Sequence, residues 1–295
     1  MTTTAPALRY ATPAGRWVIL ATVLGSGMAF LDGTVVNIAL PRIGEDLDAS
    51  LTGLQWTVNA YTLTLAAFLL PGGALGDRLG RRRIFVAGTA LFAAASALCA
   101  LAPTVETLVA ARALQGVGGA LLMPASLAII EATFHRDDRG AAIGAWSGLA
   151  GVAAAIGPFL GGWLVGAASW RWVFLINLPI AAAVLWVAAR HVPETRDPAA
   201  GGGPLDVPGA TLAALGLAGV TWGLTAASGS GWDAASGGLA AAGAACLAAF
   251  AAVEARSRHP MVPPDIWASR LFTAANAVTF VLYAALSGAL FLLPI

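Results

Sequence analysis

The chain has 295 residues and a net charge of +1, with 58% of its residues hydrophobic and 11% charged. A soluble domain carries about 25% charged residues, so most of this surface must face lipid rather than water. The basic residues, all arginine, are dispersed between apolar runs and form no nucleic-acid-binding face. Cys99 and Cys246 lie inside apolar segments, with neither the clustering nor the spacing of a disulfide framework or a metal site.

About 20 apolar helical residues cross the roughly 30 Å hydrocarbon layer. By that ruler the sequence predicts an all-α, polytopic membrane protein. A tail from Met1 to Gly15 runs without a cleavable signal into a first span near Trp17–Asn37. Further spans follow near Leu54–Leu75, Ile84–Ala102, Thr107–Ile130, Ala141–Val165 and Trp172–Ala189. A stretch from Pro193 to Pro208 with the run Gly201, Gly202, Gly203 reads as a linker. Beyond it come spans near Pro208–Ala227, Ser236–Val253 and Leu271–Ile295. The runs are long and continuous, unlike the short alternating segments of a membrane barrel.

Loop charges orient the stack. Arg9 and Arg16 precede the first span; Arg78, Arg81, Arg82 and Arg83 follow the second; Arg136 and Arg139 follow the fourth. Arg190 and Arg196 follow the sixth, and Arg256, Arg258 and Arg270 lie before the last. The alternate loops hold only Arg42 and Arg171. An excess of arginine on the inner side puts the N-terminus in the cytoplasm.

Two charges sit well inside spans: Asp32 in the first and Arg112 in the fourth. An ionised group at the bilayer centre costs roughly 2.5–3.5 kcal/mol on insertion scales, so both should point into the bundle. Asp32 reads either as a buried carboxylate that exchanges protons or binds a cationic substrate, or as a structural group near a helix end, since Gly33 and Thr34 follow it. Chemistry alone leaves both readings open. Arg112 stays charged and cannot carry the proton. It can hold a carboxylate ionised, or serve as a donor to backbone carbonyls. Glu131 reads as a solvated boundary charge. Gly116, Gly118, Gly119 and Ala120 give the fourth span a flat patch for close helix approach. Pro158, beside Gly157 and before Gly161 and Gly162, removes one backbone donor and allows a bend if a neighbour satisfies the freed carbonyl.

These segments together resemble the major facilitator superfamily, and within it the 14-helix drug:proton antiporter branch. The loop Gly73, Leu75, Asp77, Arg78, Gly80, Arg81, Arg82, Arg83 is similar to the superfamily motif between helices two and three. Leu108, Arg112, Gln115, Gly116 and Gly118 resemble the helix-four motif. Gly157, Pro158, Gly161 and Gly162 resemble the antiporter motif, with Ala153 standing where a glycine is usual. Leu31 to Pro41 resembles the first-helix motif of the branch, and Trp170, Arg171, Trp172, Asn177 and Pro179 also match it.

The resemblance implies a six-helix N-terminal half over residues 1–190, a cytoplasmic linker over 191–207, two extra linking helices over 208–253, and the start of a second half over 254–295. About nine helices of an expected fourteen would then be present, and the chain reads as part of a longer protein. The implied activity is proton-coupled efflux of lipophilic drug-like or metabolite substrates across a bacterial cytoplasmic membrane, with the proton gradient as energy source and no cofactor or metal. Asp32 would be the proton- or cation-binding carboxylate and Arg112 its coupling partner. Asp77, Arg78 and Arg82 would form a cytoplasmic charge latch whose partners lie in further helices, and Gly157, Pro158 and Gly161 would shape the bend. The alternatives are an importer or permease of the superfamily, or a membrane component that does not transport. Nothing argues for an enzyme: His135, His191 and His259 read as solvated loop residues.

Overall fold

A computed structural model describes residues 7–197, 206–257, 260, 266 and 268–292. Ten helices follow in chain order: α1 (Pro13–Asp46), α2 (Leu51–Leu79), α3 (Arg81–Ala100), α4 (Val105–Thr133), α5 (Arg139–Ala167), α6 (Trp172–Leu175), α7 (Asn177–His191), α8 (Val207–Ser230), α9 (Ala234–Glu254) and α10 (Arg270–Leu292). Among the described residues, eight stretches, with α6 and α7 taken as one, are long and apolar enough to cross a membrane. The run Gly201–Gly203 of the expected linker, together with Arg258, His259 and Ile295, lies outside the described residues.

Polar residues start these helices. Thr12 accepts from the Gly15 N–H at 3.2 Å, Ser50 from Gly53 at 3.2 Å, and Asp206 from Gly209 at 2.9 Å. Thr104 with Thr107, and Asp233 with Ser236, close reciprocal capping boxes. Each cap satisfies backbone donors that the first helical turn leaves open.

One expectation is corrected. The first span does not end near Asn37: α1 continues through Pro41 to Asp46. Its 34 residues make a rod of about 51 Å, well beyond one bilayer thickness. The C-terminal end of α1 is held by Asp46, which accepts from Trp170 Nε1 at 2.9 Å and Arg171 Nη1 at 2.6 Å. The sixth span comes as two segments, α6 and α7, which meet at a turn on Ile176 and together run from Trp172 to His191.

In the bundle α4 packs against both α2 and α3, α1 against α5 and α7, and the hairpin α8–α9 leans through α8 on α2. That last contact includes Trp56 edge-on to Trp222 and a 3.1 Å bond from Asn59 Nδ2 to Thr225 Oγ1. The core divides into two apolar clusters. One gathers Val18, Phe85, Phe92, Ile129, Phe134 and Val184; the other gathers Val35, Ile43, Leu108, Trp170 and Phe174. Between them lies a polar layer.

Loops meet only on their own side. Leu8 pairs with Thr133 and His135 through backbone bonds of 2.8 and 2.9 Å, and Arg81 with Thr195 at 2.9 Å. The Asp46–Arg171 contact lies at the opposite end. The helices thus alternate in direction as the loop charges require.

Candidate functional site

The polar layer is assembled from five helices. Asp32 of α1 is 0% exposed and Arg112 of α4 is 1% exposed, and they form a direct ion pair through Arg112 Nη1 and Asp32 Oδ2. The other carboxylate oxygen, Oδ1, accepts from Gln115 Nε2 at 2.8 Å and from Asn177 Nδ2 at 2.9 Å. Arg112 also donates from Nη1 to Gln115 Oε1 at 2.7 Å and from Nε to the Thr57 carbonyl at 3.1 Å. Ser96 Oγ accepts from Gln115 Nε2 at 2.8 Å and Asn177 Nδ2 at 3.2 Å. The Arg112 guanidinium lies 4.2 Å from the Tyr61 ring centroid, and the Tyr61 hydroxyl donates to the Ala29 carbonyl at 3.1 Å.

Helical spacing explains the convergence. Arg112 and Gln115, three apart, share one face of α4, and Ser96 and Cys99 share one face of α3. A buried ion pair is tolerated only when its remaining polar atoms are satisfied, and here hydrogen-bonding neighbours enclose both charges. The assembly encloses a paired positive and negative charge away from the surface.

The helix-end reading of Asp32 fails, because α1 runs on for fourteen residues past it. For the cationic-substrate reading, the relevant fact is that Asp32 is fully buried in this structure. Both readings of Arg112 hold at once, since it binds a carboxylate and a backbone carbonyl. Glu131 is exposed, as a boundary charge should be. Thr57 and Ser96 were not foreseen. A lone hydroxyl in an apolar helix carries no signal until its neighbours are known.

The antiporter-like motif lies on α1. A methyl at Gly157 would collide with Thr34 Oγ1, and one at Gly161 would come 2.8 Å from Val35; Gly162 faces open space. Pro158 cannot donate to the Ala154 carbonyl one turn earlier. Thr34 Oγ1 supplies that bond from α1, at 3.0 Å. On α4, a methyl at Gly116 would meet the Tyr61 carbonyl and Thr64 Oγ1, so the flat patch is a real crossing point with α2.

The loop motif turns on Gly80, whose φ of +119° is closed to ordinary side chains. Asp77 Oδ1 takes Arg81 Nε and Nη2, each at 2.8 Å. Arg82 donates its backbone N–H to Glu194 Oε1 at 3.1 Å and Nη1 to the Val192 carbonyl at 3.2 Å. Arg83 Nε lies 3.7 Å from Glu194 Oε2. Arg78 closes the last turn of α2. The expectation that this motif waits for distant helices is therefore incomplete: Asp77 already has a partner in Arg81, and Arg82 has partners in the segment that follows α7.

An alternating bundle of membrane-length helices with a sealed ion pair at its centre is the architecture of a polytopic membrane protein that handles charge internally. The profile described as "Major Facilitator Superfamily" matches residues 22–295, and the chain belongs to that family. The methylenomycin A resistance protein of Streptomyces coelicolor is 40% identical over 277 residues, covering 93% of this chain and 58% of that protein. The multidrug efflux pump LfrA of Mycolicibacterium smegmatis is 39% identical, covering 95% and 56%. The puromycin resistance protein pur8 of Streptomyces alboniger is 42% identical, covering 87% and 51%. The chain thus spans between half and three fifths of the length of these curated relatives. In fold it is similar to a bacterial homologue of the human lysosomal transporter Spinster, with TM-score 0.54 and 21% identity over 86% of this chain and 64% of that one.

Proposed function

We propose that the protein carrying this chain exports lipophilic drug-like or metabolite molecules across the bacterial cytoplasmic membrane in exchange for protons, as a member of the 14-helix drug:proton antiporter branch with its N-terminus in the cytoplasm. The observation that carries this reading is the buried Asp32–Arg112 pair with its enclosing donors. The resistance and efflux proteins named above support the substrate class. The α8–α9 hairpin, placed after six helices and packed on α2, supports the branch.

In this mechanism a proton reaching Asp32 removes the negative charge that holds Arg112. Arg112 keeps Gln115 and Thr57 as partners, so the cation is not stranded when the ion pair is lost. The contacts between α1 and α4 then loosen, and access to the substrate cavity changes sides. An inward proton contributes about 2.3 kcal/mol per 100 mV of membrane potential. Asp77, Arg78 and Arg82 stiffen the cytoplasmic end, while Gly157, Pro158 and Gly161 hold α5 against α1.

The test is dye transport in inverted vesicles with and without an imposed proton gradient. Gradient-driven transport is expected in the wild type, and its loss in Asp32→Asn at normal expression. Transport indifferent to the gradient, or coupling unchanged in the variant, rules the reading out.

A further inference from the structure

Asn177 is 0% exposed and stands at the first position of α7, where the chain breaks from α6. Its amide is asymmetrically used. Nδ2 donates to Asp32 Oδ1 and Ser96 Oγ, while Oδ1 is buried without a hydrogen-bond partner. Buried polar atoms without partners are uncommon, and each calls for an explanation. Gln115 differs: its Oε1 holds Arg112 and accepts weakly from Cys99 Sγ at 3.6 Å, and its Nε2 holds Asp32 and Ser96. Gln115 cannot turn over without setting its oxygen against the carboxylate and losing Arg112. Asn177 has nothing on its far end to lose.

Asp32 Oδ1 faces two N–H donors, an arrangement suited to a carboxylate and not to a carboxylic acid. Once Oδ1 carries a proton, its O–H needs an acceptor. The charged and titratable groups gathered around Asp32 are Arg112 from α4, Tyr61 from α2 and Cys99 from α3. Arg112 has no acceptor to offer, Tyr61 already donates to the Ala29 carbonyl, and Cys99 is turned to Gln115. Asn177 has an unused amide oxygen within half a turn of its own side chain.

We propose that Asn177 is a positioning residue that reads the charge of Asp32: its amide donates to the carboxylate, and turns over to accept from the carboxylic acid. The balance is simple. A proton from water forms an O–H bond at Asp32 Oδ1; the Asn177 Nδ2–H bonds to that oxygen and to Ser96 break. The new O–H donates to Asn177 Oδ1, and the Ser96 hydroxyl can rotate to donate to the same oxygen. No electron moves and no other reactant is needed. Because Asn177 begins α7, the turnover carries the proton's arrival from α1 to the α6–α7 break.

The inference rests on the antiport reading, and the experiment separates the two. Asn177→Leu keeps the volume but can neither donate nor accept. Asn177→Ser leaves a gap but its hydroxyl does both by rotating. Gradient-driven accumulation in vesicles should fall at least roughly tenfold in Asn177→Leu, and Asn177→Ser should recover much of that loss. A merely space-filling role gives the opposite order, leucine above serine, and overturns the proposal. Wild-type transport that ignores the gradient defeats the antiport reading instead. A second measurement needs no transport: infrared difference spectra of the purified protein between acidic and neutral pH, with labelled asparagine. The carboxylic acid band is assigned by its loss in Asp32→Asn. An Asn177 side-chain band, assigned by its loss in Asn177→Leu, should shift together with it. A carboxylic acid band with no accompanying asparagine shift also overturns the proposal.

Discussion

At the residue scale, the central ion pair behaves differently when broken from one side than when removed whole. Arg112→Ala leaves Asp32 charged and sealed, which typically costs 3–5 kcal/mol, whereas losing both charges together costs less. Thermal unfolding of the purified protein should therefore show a large destabilisation in Arg112→Ala and a partial recovery in Arg112→Ala combined with Asp32→Asn. Thr34→Val is a quieter change with a definite consequence. It strips the part-buried Ala154 carbonyl of its cross-helix donor, and a fully buried carbonyl left unsatisfied costs about 1–3 kcal/mol, which sets the upper bound here. Asp32 and Arg112 were legible in the sequence because a charge inside an apolar run is conspicuous. Ser96 and Thr57 were not, because a hydroxyl is common in membrane helices and only its partner across the bundle gives it a task.

At the element scale, the small residues of α5 are unequal despite sharing one motif. Gly157 and Gly161 are pressed on α1, while Gly162 looks outward. Gly157→Val should abolish the folded protein in detergent, and Gly162→Val should leave its yield and melting temperature within a few degrees of wild type. Size-exclusion profiles decide between these outcomes. Span positions were legible from hydropathy, since a bilayer imposes a minimum length. The ends were not: hydropathy is silent about where a helix stops once it leaves the lipid. The C-terminal third of α1 depends instead on Asp46 meeting Trp170 and Arg171, residues 124 and 125 positions away. The turn at Ile176 escaped notice for a similar reason, since it needs no glycine and its proline comes three residues later.

At the scale of the molecule, the alternation of helix directions gives a direct test of orientation. In a background with Cys99 and Cys246 replaced by serine, single cysteines at Ser50 and at Arg136 lie at opposite ends of the bundle. A membrane-impermeant maleimide applied to intact cells should label the first and reach the second only after permeabilisation. Labelling of both, or the reverse order, would refute a cytoplasmic N-terminus.

The strap over residues 192–197 also bears on the order of events during synthesis. It runs back to the start of α3, where Glu194 meets Arg82 and Arg83, Thr195 binds Arg81, and the Asp197 N–H reaches the Asp77 carbonyl at 3.1 Å. Each of these contacts is internal to the chain up to Asp197. A ribosome that has released this strap has released both sides of each of these contacts, so they can close while α8 is still being made. Nascent chains stalled once the strap has emerged should already resist protease, and those carrying Glu194→Ala should resist it less. The newborn bundle would then meet the rest of its protein as a finished object, not as a set of helices waiting to be sorted.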